Sequence, residues 1–519
     1  MTSLDDEELE ISGTAEPSQP LLQYEQDGST ASASQNGNMA NRLGNQRSLT
    51  CPRQDHGSSG SDGLTPTGRF RAYLLGFIIC IGGFLFGYDT GIIGGVLTMA
   101  SFESDHGHTK SSFDTVSSLS VSLQQLGAFV ACFAIWPITH KYGRKWTIAL
   151  CSLVFCIGAA TQTAQAGLGA FYFGRVVAGL GLGGSSAVVP MYSAEMAPKQ
   201  LRGQIGSFYQ LMFTFGIFTS YWLDYAVVKG LPASSSAMWQ IPAGLQILFA
   251  GSLGLGMVLL EESVRWLVAK GRYTQARKSL EWIRASDGPD VEQEMREIRT
   301  AVEREAHGRK DFRLTEMLHG SNLRPTLTAV AMFTAQQATG ASAFAYYGPQ
   351  YFSLLVGDND NLDLLLVGIF GAVKVAACLF FVFFLADRYS RKSMLTTGAL
   401  IMATFHIATA ALDRTHSADD DSSTGMNLRG FAMVTLIYLF VTAYNFSWGP
   451  LTWLYVSEIF PARTREPGIA IGVAWQWLFS FFISLVTPYL ITKLRDQRQE
   501  SRRDSTFERW CYHETRGRG

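Results

Sequence analysis

The sequence contains few charged residues and none of the usual arrangements of catalytic residues. Asp, Glu, Lys and Arg make up 16% of its 519 residues, against roughly 25% in soluble domains. It lacks a nucleophile–histidine–acid arrangement, a phosphate-binding loop and a metal-ligand cluster, and its seven cysteines show no metal-ligand spacing. We therefore expect no enzyme activity, no cofactor or metal, and no nucleic-acid partner.

What the chain does contain is a series of apolar segments. Eleven of them approach the ~20 residues that a membrane-spanning helix needs. They are predicted at 72–99, 114–137, 146–164, 171–193, 207–227, 239–260, 326–355, 363–386, 393–412, 430–456 and 467–490. Lys and Arg concentrate in alternate loops, which places the N-terminus in the cytoplasm by the positive-inside rule. The pattern predicts a multi-pass protein of a lipid bilayer, by default the plasma membrane.

Residues 1–68 differ from the rest of the chain. They are rich in Ser, Gly, Gln, Asn and Asp and contain no apolar run. Such a segment buries too little apolar surface to offset the entropy of ordering it. The composition predicts a disordered cytoplasmic tail.

Two short motifs occur twice. Glu195 to Arg202 and Glu458 to Arg465 share the spacing Glu-x-x-Pro-x-x-x-Arg, and the basic loop 140–145 is repeated at 387–392. The repetition predicts a doubled helical bundle, an arrangement typical of transporters because two halves can rock about a site between them. The predicted parts are an N-terminal bundle at 69–261, a cytoplasmic helical linker at 262–325 and a C-terminal bundle at 326–491.

A doubled bundle should have an even number of spans, whereas eleven are predicted. Residues 492–519 contain eight Lys or Arg and no apolar run. We expect the last helix to be missing, through a gene-model error or an altered C-terminus, and 492–519 to form an atypical basic tail. An ordinary cytoplasmic tail would require one predicted span to be wrong.

The first predicted helix contains an acid, Asp89. The other lone charge predicted at comparable depth in the first half is Arg175. A charge within a span costs about 2.5–3.5 kcal/mol on insertion scales, so such residues are functional candidates. Protonation of Asp89 would release Arg175, as proton coupling requires; the alternative is a static ion pair.

Several ordered motifs resemble those of one known family. They are Gly174-Arg175 with Gly179, Gly181 and Gly183; Pro190 to Glu195; Glu262 to Leu267; Gln336 to Gly340 with Tyr346-Tyr347; and Gly449 to Trp453 with Glu458. Together they resemble the sugar porter branch of the major facilitator superfamily, and the overall pattern is similar to fungal members. The resemblance implies an all-α integral membrane fold of two pseudo-symmetric six-helix bundles. It also implies a central sugar site that is exposed to alternate sides of the membrane.

The resemblance also implies the substrate-binding residues. By motif position they are Phe86, Gln210, Gln336, Gln337, Ser342, Trp453, Gln476 and Trp477. Amides offer a donor and an acceptor to sugar hydroxyls, and aromatic rings stack on the apolar face of a pyranose. The alternatives are interhelical hydrogen bonds for the glutamines and plain packing for the aromatics. Ser342 stands where the family usually has Asn, and Val375 fills another usual Asn position.

The repeated loops are predicted to form a cytoplasmic latch. Arg144 would pair with Glu195, and Arg391 with Glu458, when the transporter faces outward. The remaining candidates for this latch are Arg202, Glu262, Arg265, Arg388 and Arg465. His140 replaces the family's usual Asp and should weaken the first copy. The alternative is a basic patch that only sets the topology.

The sequence therefore predicts a monosaccharide transporter that works by alternating access, with proton symport through Asp89 and Arg175. Its partners would be the substrate, protons and the bilayer. A facilitator without coupling stays open, as does a polyol, quinate or uronate porter, which Ser342 and Val375 suggest. Outside transport, the alternatives are a nutrient sensor and an inactive truncated product.

Overall fold

A computed structural model describes residues 65–107, 109–198, 201–309, 314–356, 362–385, 388–414, 428–461 and 464–516. Within these ranges the regular structure is helical, and no strand occurs. Most of the predicted disordered tail lies outside the described residues. The predicted end of the tail at residue 68 lies two residues inside helix α1, which begins at Pro66. Thr65 caps this helix by accepting a hydrogen bond from the amide of Gly68 at 3.0 Å.

The first half contains six long helices and one short one. Their bounds are α1 Pro66–Val96, α2 Ala100–His106, α3 Phe113–Tyr142, α4 Arg144–Thr163, α5 Leu168–Met196, α6 Arg202–Gly230 and α7 Ala237–Leu259. Three helices then cross the predicted linker: α8 Val264–Ala269, α9 Tyr273–Arg284 and α10 Pro289–Arg309. The second half contains α11 Leu323–Ala338, α12 Ala341–Val356, α13 Leu362–Phe380, α14 Arg391–Arg414, α15 Leu428–Phe446, α16 Trp448–Ile459 and α17 Arg465–Arg516.

Ten segments of the described residues are long and apolar enough to cross a membrane. The remaining predicted span, 326–355, is not one helix but two, α11 and α12. The chain breaks at Gly340, whose φ of +79° lies in the left-handed region that glycine adopts without strain. The predicted span 430–456 is also broken, between α15 and α16. Ser447, which lies between them, has φ −138° and ψ −88°, outside the helical region, and Pro450 in the first turn of α16 has no amide to donate to the carbonyl of Phe446.

Glycines allow the helices of the first half to approach closely. A Cβ on Gly87 of α1 would lie 1.8 Å from the carbonyl oxygen of Phe213 on α6. A Cβ on Gly183 of α5 would lie 2.4 Å from the carbonyl oxygen of Ala128 on α3. Both contacts are backbone to backbone, and small residues are what permit them in membrane helices.

The linker helices are attached to the first half. Arg71 on α1 donates to the carbonyl of Trp282 on α9 at 2.7 Å, and Trp266 on α8 donates to the carbonyl of His140 at the end of α3 at 3.0 Å. On α10, Val291 is buried in the same apolar core. The linker therefore lies at the end of the bundle where α1 begins and α3 ends.

The two halves meet along three helix pairs: α3 with α17, α6 with α13, and α1 with α12. At the end opposite the linker, here called the distal end, hydrogen bonds join α3 to α17. Ser118 donates to the carbonyl of Leu485 at 2.7 Å, and Thr492 donates to the Asp114 carboxylate at 2.7 Å. Thr492 lies on α17, which continues through the predicted basic tail as far as Arg516.

Candidate functional site

Asp89 and Arg175 form a buried ion pair inside the first half. Nη1 of Arg175 lies 3.3 Å from Oδ1 of Asp89, and the two side chains are 1% and 3% exposed. Gln124 on α3 donates its amide to Oδ2 of Asp89, and Arg175 donates through Nε to the carbonyl of Ser120 at 2.7 Å. The pair thus connects α1, α3 and α5.

This network lies next to the second half. Five residues beyond Asp89 on α1, a Cβ on Gly94 would lie only 2.5 Å from the carbonyl oxygen of Tyr346 on α12. The α12 backbone of the second half therefore rests directly on the helix that carries the acid.

The prediction that Arg175 is the other lone charge of the first half is wrong, because a third buried charge, Asp224, lies there. Asp224 on α6 is 1% exposed, and neither of its carboxylate oxygens has a hydrogen-bond partner among the described residues. It packs against α1, where a Cβ on Gly95 would lie 2.2 Å from its Oδ2. The signal was present, since Asp224 falls within the predicted span 207–227. A second buried charge that was missed is Lys374, at 5% exposure on α13.

Two of the predicted glutamines, Gln336 and Gln337, lie on α11, and Gln336 contacts the start of α16. Gln336 and Gln337 are each 4% exposed. Nε2 of Gln336 donates to the carbonyls of Trp448 at 2.9 Å and Gly449 at 3.3 Å. One amide group of Gln336 therefore already bridges two helices. The Oε1 atoms of both glutamines are buried without a partner in the described part of the chain.

The predicted aromatics separate into two groups. Phe86 on α1 lies 5.4 Å from Trp477 on α17, measured between ring centroids, so these two meet across the halves. Phe86 also lies 4.8 Å from Phe213 on α6, a residue that the sequence motifs do not single out. Trp453 instead packs on Phe333 within the second half, at 5.3 Å.

Three further predicted residues are polar and only partly engaged. Gln476 is buried, with its Oε1 unpaired among the residues described, and it adjoins Trp477, whose Nε1 is also unpaired. Gln210 is half-buried on α6, one turn before Phe213, and Ser342 is half-buried at the start of α12. These side chains leave hydrogen-bonding capacity for a ligand.

The two predicted latch pairs are both present. Arg144 lies 3.0 Å from Glu195, and their side chains are 12% and 7% exposed. Arg391 lies 3.2 Å from Glu458, and their side chains are 34% and 49% exposed. Each pair lies within one half, and both are formed while the distal ends of the halves are joined. The first pair forms although His140 replaces an acid.

Glu262 binds the start of α4. Its Oε1 accepts hydrogen bonds from the amides of Arg144 at 2.9 Å, Lys145 at 3.1 Å and Ser263 at 2.8 Å. The first amides of a helix have no partner within the helix, so this carboxylate acts as a cap from outside it. Burial raises the pKa of the Glu262 carboxyl, against the opposing effect of these hydrogen bonds. Gly143 makes room for the contact, since a Cβ there would lie 2.2 Å from Oε2.

The other latch candidates are more peripheral. Arg265 on α8 pairs with Glu305 on α10, within the linker. Arg388 and Arg465 are exposed, and the side chain of Arg202 lies outside the described residues. The structure therefore brings Arg144, Glu195 and Glu262 together, and it leaves Arg265, Arg388 and Arg465 outside that group.

The fold and the site together define a class of protein. It is an all-α, multi-pass membrane protein of two halves, with polar and aromatic side chains between them. The chain belongs to the sugar (and other) transporter family, whose model matches residues 75–498. It is a membrane transport protein rather than an enzyme.

Relatives and solved structures agree with this assignment. A probable quinate permease of Aspergillus fumigatus is 32% identical over 447 residues, covering 82% of this chain and 81% of the relative. The quinate permease of Emericella nidulans is 31% identical over 437 residues, covering 82% of each. The proton:xylose symporter XylE, of the major facilitator superfamily, superposes with a TM-score of 0.69 at 25% identity, over 82% of this chain and 89% of XylE. The fold is that of the major facilitator superfamily.

Proposed function

We propose that this protein carries a monosaccharide or a closely related polyhydroxylated molecule across the membrane by alternating access, together with a proton. The observation that carries the proposal is the buried network of Asp89, Arg175 and Gln124 beside α12 of the second half. Ionisable residues inside a membrane span are costly to insert, and those that occur usually mark a substrate, ion or proton pathway.

The proton would act on the network through charge. Ionised Asp89 holds Arg175 and accepts from Gln124, which ties α1 to α3 and α5. Protonation removes the attraction and leaves Arg175 bonded to the carbonyl of Ser120. Because α12 rests on α1, the change alters the relative free energies of the two arrangements of the halves. A ligand or proton shifts such an equilibrium by its differential affinity for the two states.

The substrate would bind between the halves. The unpaired oxygens of Gln336, Gln337 and Gln476 can each accept a hydrogen bond from a hydroxyl. Phe86 and Trp477, which meet across the halves, offer apolar surface to a sugar ring. The similarity to XylE supports a sugar, and the similarity to quinate permeases supports a polyhydroxy acid.

The cytoplasmic pairs would then bias the equilibrium between states. Arg144 with Glu195 and Arg391 with Glu458 lie at the linker end of their halves. We place this end and the N-terminus in the cytoplasm, and the protein in the plasma membrane, on the strength of the basic loops. Protease access to epitope tags inserted at the N-terminus and after Gly357 tests this orientation: only the second tag should be cleaved on intact cells.

Uptake measurements test the transport proposal. Labelled glucose, xylose, galactose, a polyol and quinate would be offered to a transport-null host, and external alkalinisation recorded. We expect uptake of at least one compound with accompanying alkalinisation. Asp89→Asn should abolish the alkalinisation and the pH dependence of uptake. Uptake by Asp89→Asn with unchanged pH dependence would show that the proton role is wrong, and flux without alkalinisation in the wild type would indicate a facilitator.

A further inference from the structure

Lys374 is a buried cation at the middle of a membrane span. It lies at the centre of the 24-residue span Leu362–Leu385 and is 5% exposed. Charged side chains at the centre of a span are rare and usually mark substrate or ion pathways. Transporter binding sites also lie near the bilayer midplane, at the interface of the repeats. The position of Lys374 along its helix therefore fits a binding site.

The surroundings of Lys374 do not neutralise its charge. Its Nζ lies 6.0 Å from the ring centroid of Phe213 on α6 and 5.9 Å from that of Phe370 on α13. Within the described ranges it forms no ion pair. The two buried acids described on α1 and α6 do not neutralise it: Asp89 pairs with Arg175, and Asp224, which packs against α1, forms no ion pair with Lys374 among the described residues. Ring faces attract an ammonium group, but they do not provide the hydrogen-bond acceptors that a buried ammonium requires.

Lys374 adjoins the aromatic residues that meet between the halves. Phe213, which faces its ammonium group, lies 4.8 Å from Phe86, and Phe86 lies 5.4 Å from Trp477. These three rings come from α6, α1 and α17, and Lys374 comes from α13. The ammonium group of Lys374 thus contacts aromatic rings of both halves, at the place where the proposed substrate would lie.

We infer that Lys374 binds the carboxylate of the substrate, and that the substrate is a polyhydroxylated monocarboxylic acid rather than a neutral sugar. The inference rests on the proposed transport function and specifies its substrate class. A carboxylate would supply the acceptors that Lys374 lacks, and the hydroxyls of the same molecule would pair with the free amide oxygens of Gln336, Gln337 and Gln476. The ring or chain of the molecule would pack on Phe86 and Trp477.

The test compares an acid with its own neutral ester. Uptake of labelled quinate is measured in the wild type, in Lys374→Met and Lys374→Arg, and in the control Leu379→Met, whose side chain is 37% exposed on the same helix. Unlabelled methyl quinate is added as a competitor of labelled quinate for each of these proteins. We expect the wild type to prefer quinate to the ester at least about tenfold, as loss of one charge-assisted hydrogen bond predicts. Lys374→Met should raise the half-saturating concentration for quinate at least about tenfold and abolish the preference. Lys374→Arg should keep most of it, and Leu379→Met all of it.

A measurement on the wild type alone keeps the inference testable if Lys374→Met does not fold. Quinate should raise the melting temperature of the purified full-length protein, and methyl quinate should not. An equal shift by acid and ester would overturn the inference. An unchanged preference for the acid in Lys374→Met would also overturn the inference. So would uptake of neutral sugars without uptake of acids. Each of these two uptake results would leave the proposed transport function standing. Absence of uptake of every compound, with the protein present in the membrane, would refute the proposed function itself.

Discussion

Asp89→Asn removes one charge of a pair that is almost completely buried. At 3.3 Å and an effective dielectric constant of about 20, two unit charges attract by about 5 kcal/mol. Breaking such a pair by removing one partner costs about 3–5 kcal/mol, since the other charge stays buried and uncompensated. Asparagine keeps an oxygen that Arg175 can still bond, so we expect the lower end, about 3 kcal/mol of unfolding free energy.

A double variant separates stability from coupling. In Asp89→Asn/Arg175→Met no buried charge is left over, and most of the lost stability should return. The pH dependence of uptake should nevertheless remain absent, because the proton-binding group is gone. Denaturant unfolding of the purified protein in micelles measures the free energy of unfolding. Uptake across a pH series measures the pH dependence of transport.

The control for this experiment is Asp224→Asn. Asp224 is as deeply buried as Asp89 but has no hydrogen-bond partner among the described residues. Its replacement breaks no ion pair, so we expect no loss of stability. Two results would refute the reasoning: an Asp89→Asn protein as stable as the wild type, or a double variant no more stable than the single one.

Three further predictions concern the packing and the linker end. Gly87→Ala should lower the melting temperature and uptake sharply, because its Cβ would meet a backbone carbonyl at 1.8 Å, whereas Gly203→Ala, with nothing within 4 Å, should change neither. Glu262→Ala should cost about 0.5–2 kcal/mol of stability through loss of the α4 cap. Since burial raises the pKa of Glu262 above its unfolded value, wild-type stability should fall as pH rises through the folded pKa, and Glu262→Gln should flatten that dependence. Arg144→Gln should destabilise more than Arg391→Gln, whose pair is exposed and worth about 0–1 kcal/mol. Equal effects of Gly87→Ala and Gly203→Ala, the same pH dependence in Glu262→Gln and the wild type, or equal effects of Arg144→Gln and Arg391→Gln would each contradict the corresponding prediction.

Much of the fold could be predicted from local sequence. Ten of the eleven predicted spans coincide with apolar helical segments, with ends displaced by a few residues, and one of these ten, 430–456, is broken between α15 and α16. The sequence does not predict the breaks near Gly340 and Ser447, because hydropathy averaged over a window is insensitive to a single residue outside the helical conformation. Whether a Gly or Pro bends a helix or ends it depends on the neighbours that satisfy the freed backbone groups.

The candidate site could be predicted only in part. Asp89, Arg175 and the pairs of Arg144 and Arg391 were found from charge and repetition, and the structure places each beside its expected partner. The contact of Phe213 with Phe86 was not found, since an aromatic in an apolar segment has no distinguishing signal. Lys374 does have a signal in the sequence, a charge at the centre of a predicted span.

The sequence by itself determined the membrane class, the doubling of the bundle and the family, because apolar length, loop charge and ordered motifs are local properties of the chain. Only the tertiary structure decided which polar groups are satisfied. Asp89 finds Arg175 and Gln124, whereas Asp224 and Lys374 find no charged partner in the described part of the chain. Whether a buried polar group has a hydrogen-bond or ion-pair partner depends on which side chains from distant helices meet in space. A buried charge without such a partner is where a proton or a substrate can bind.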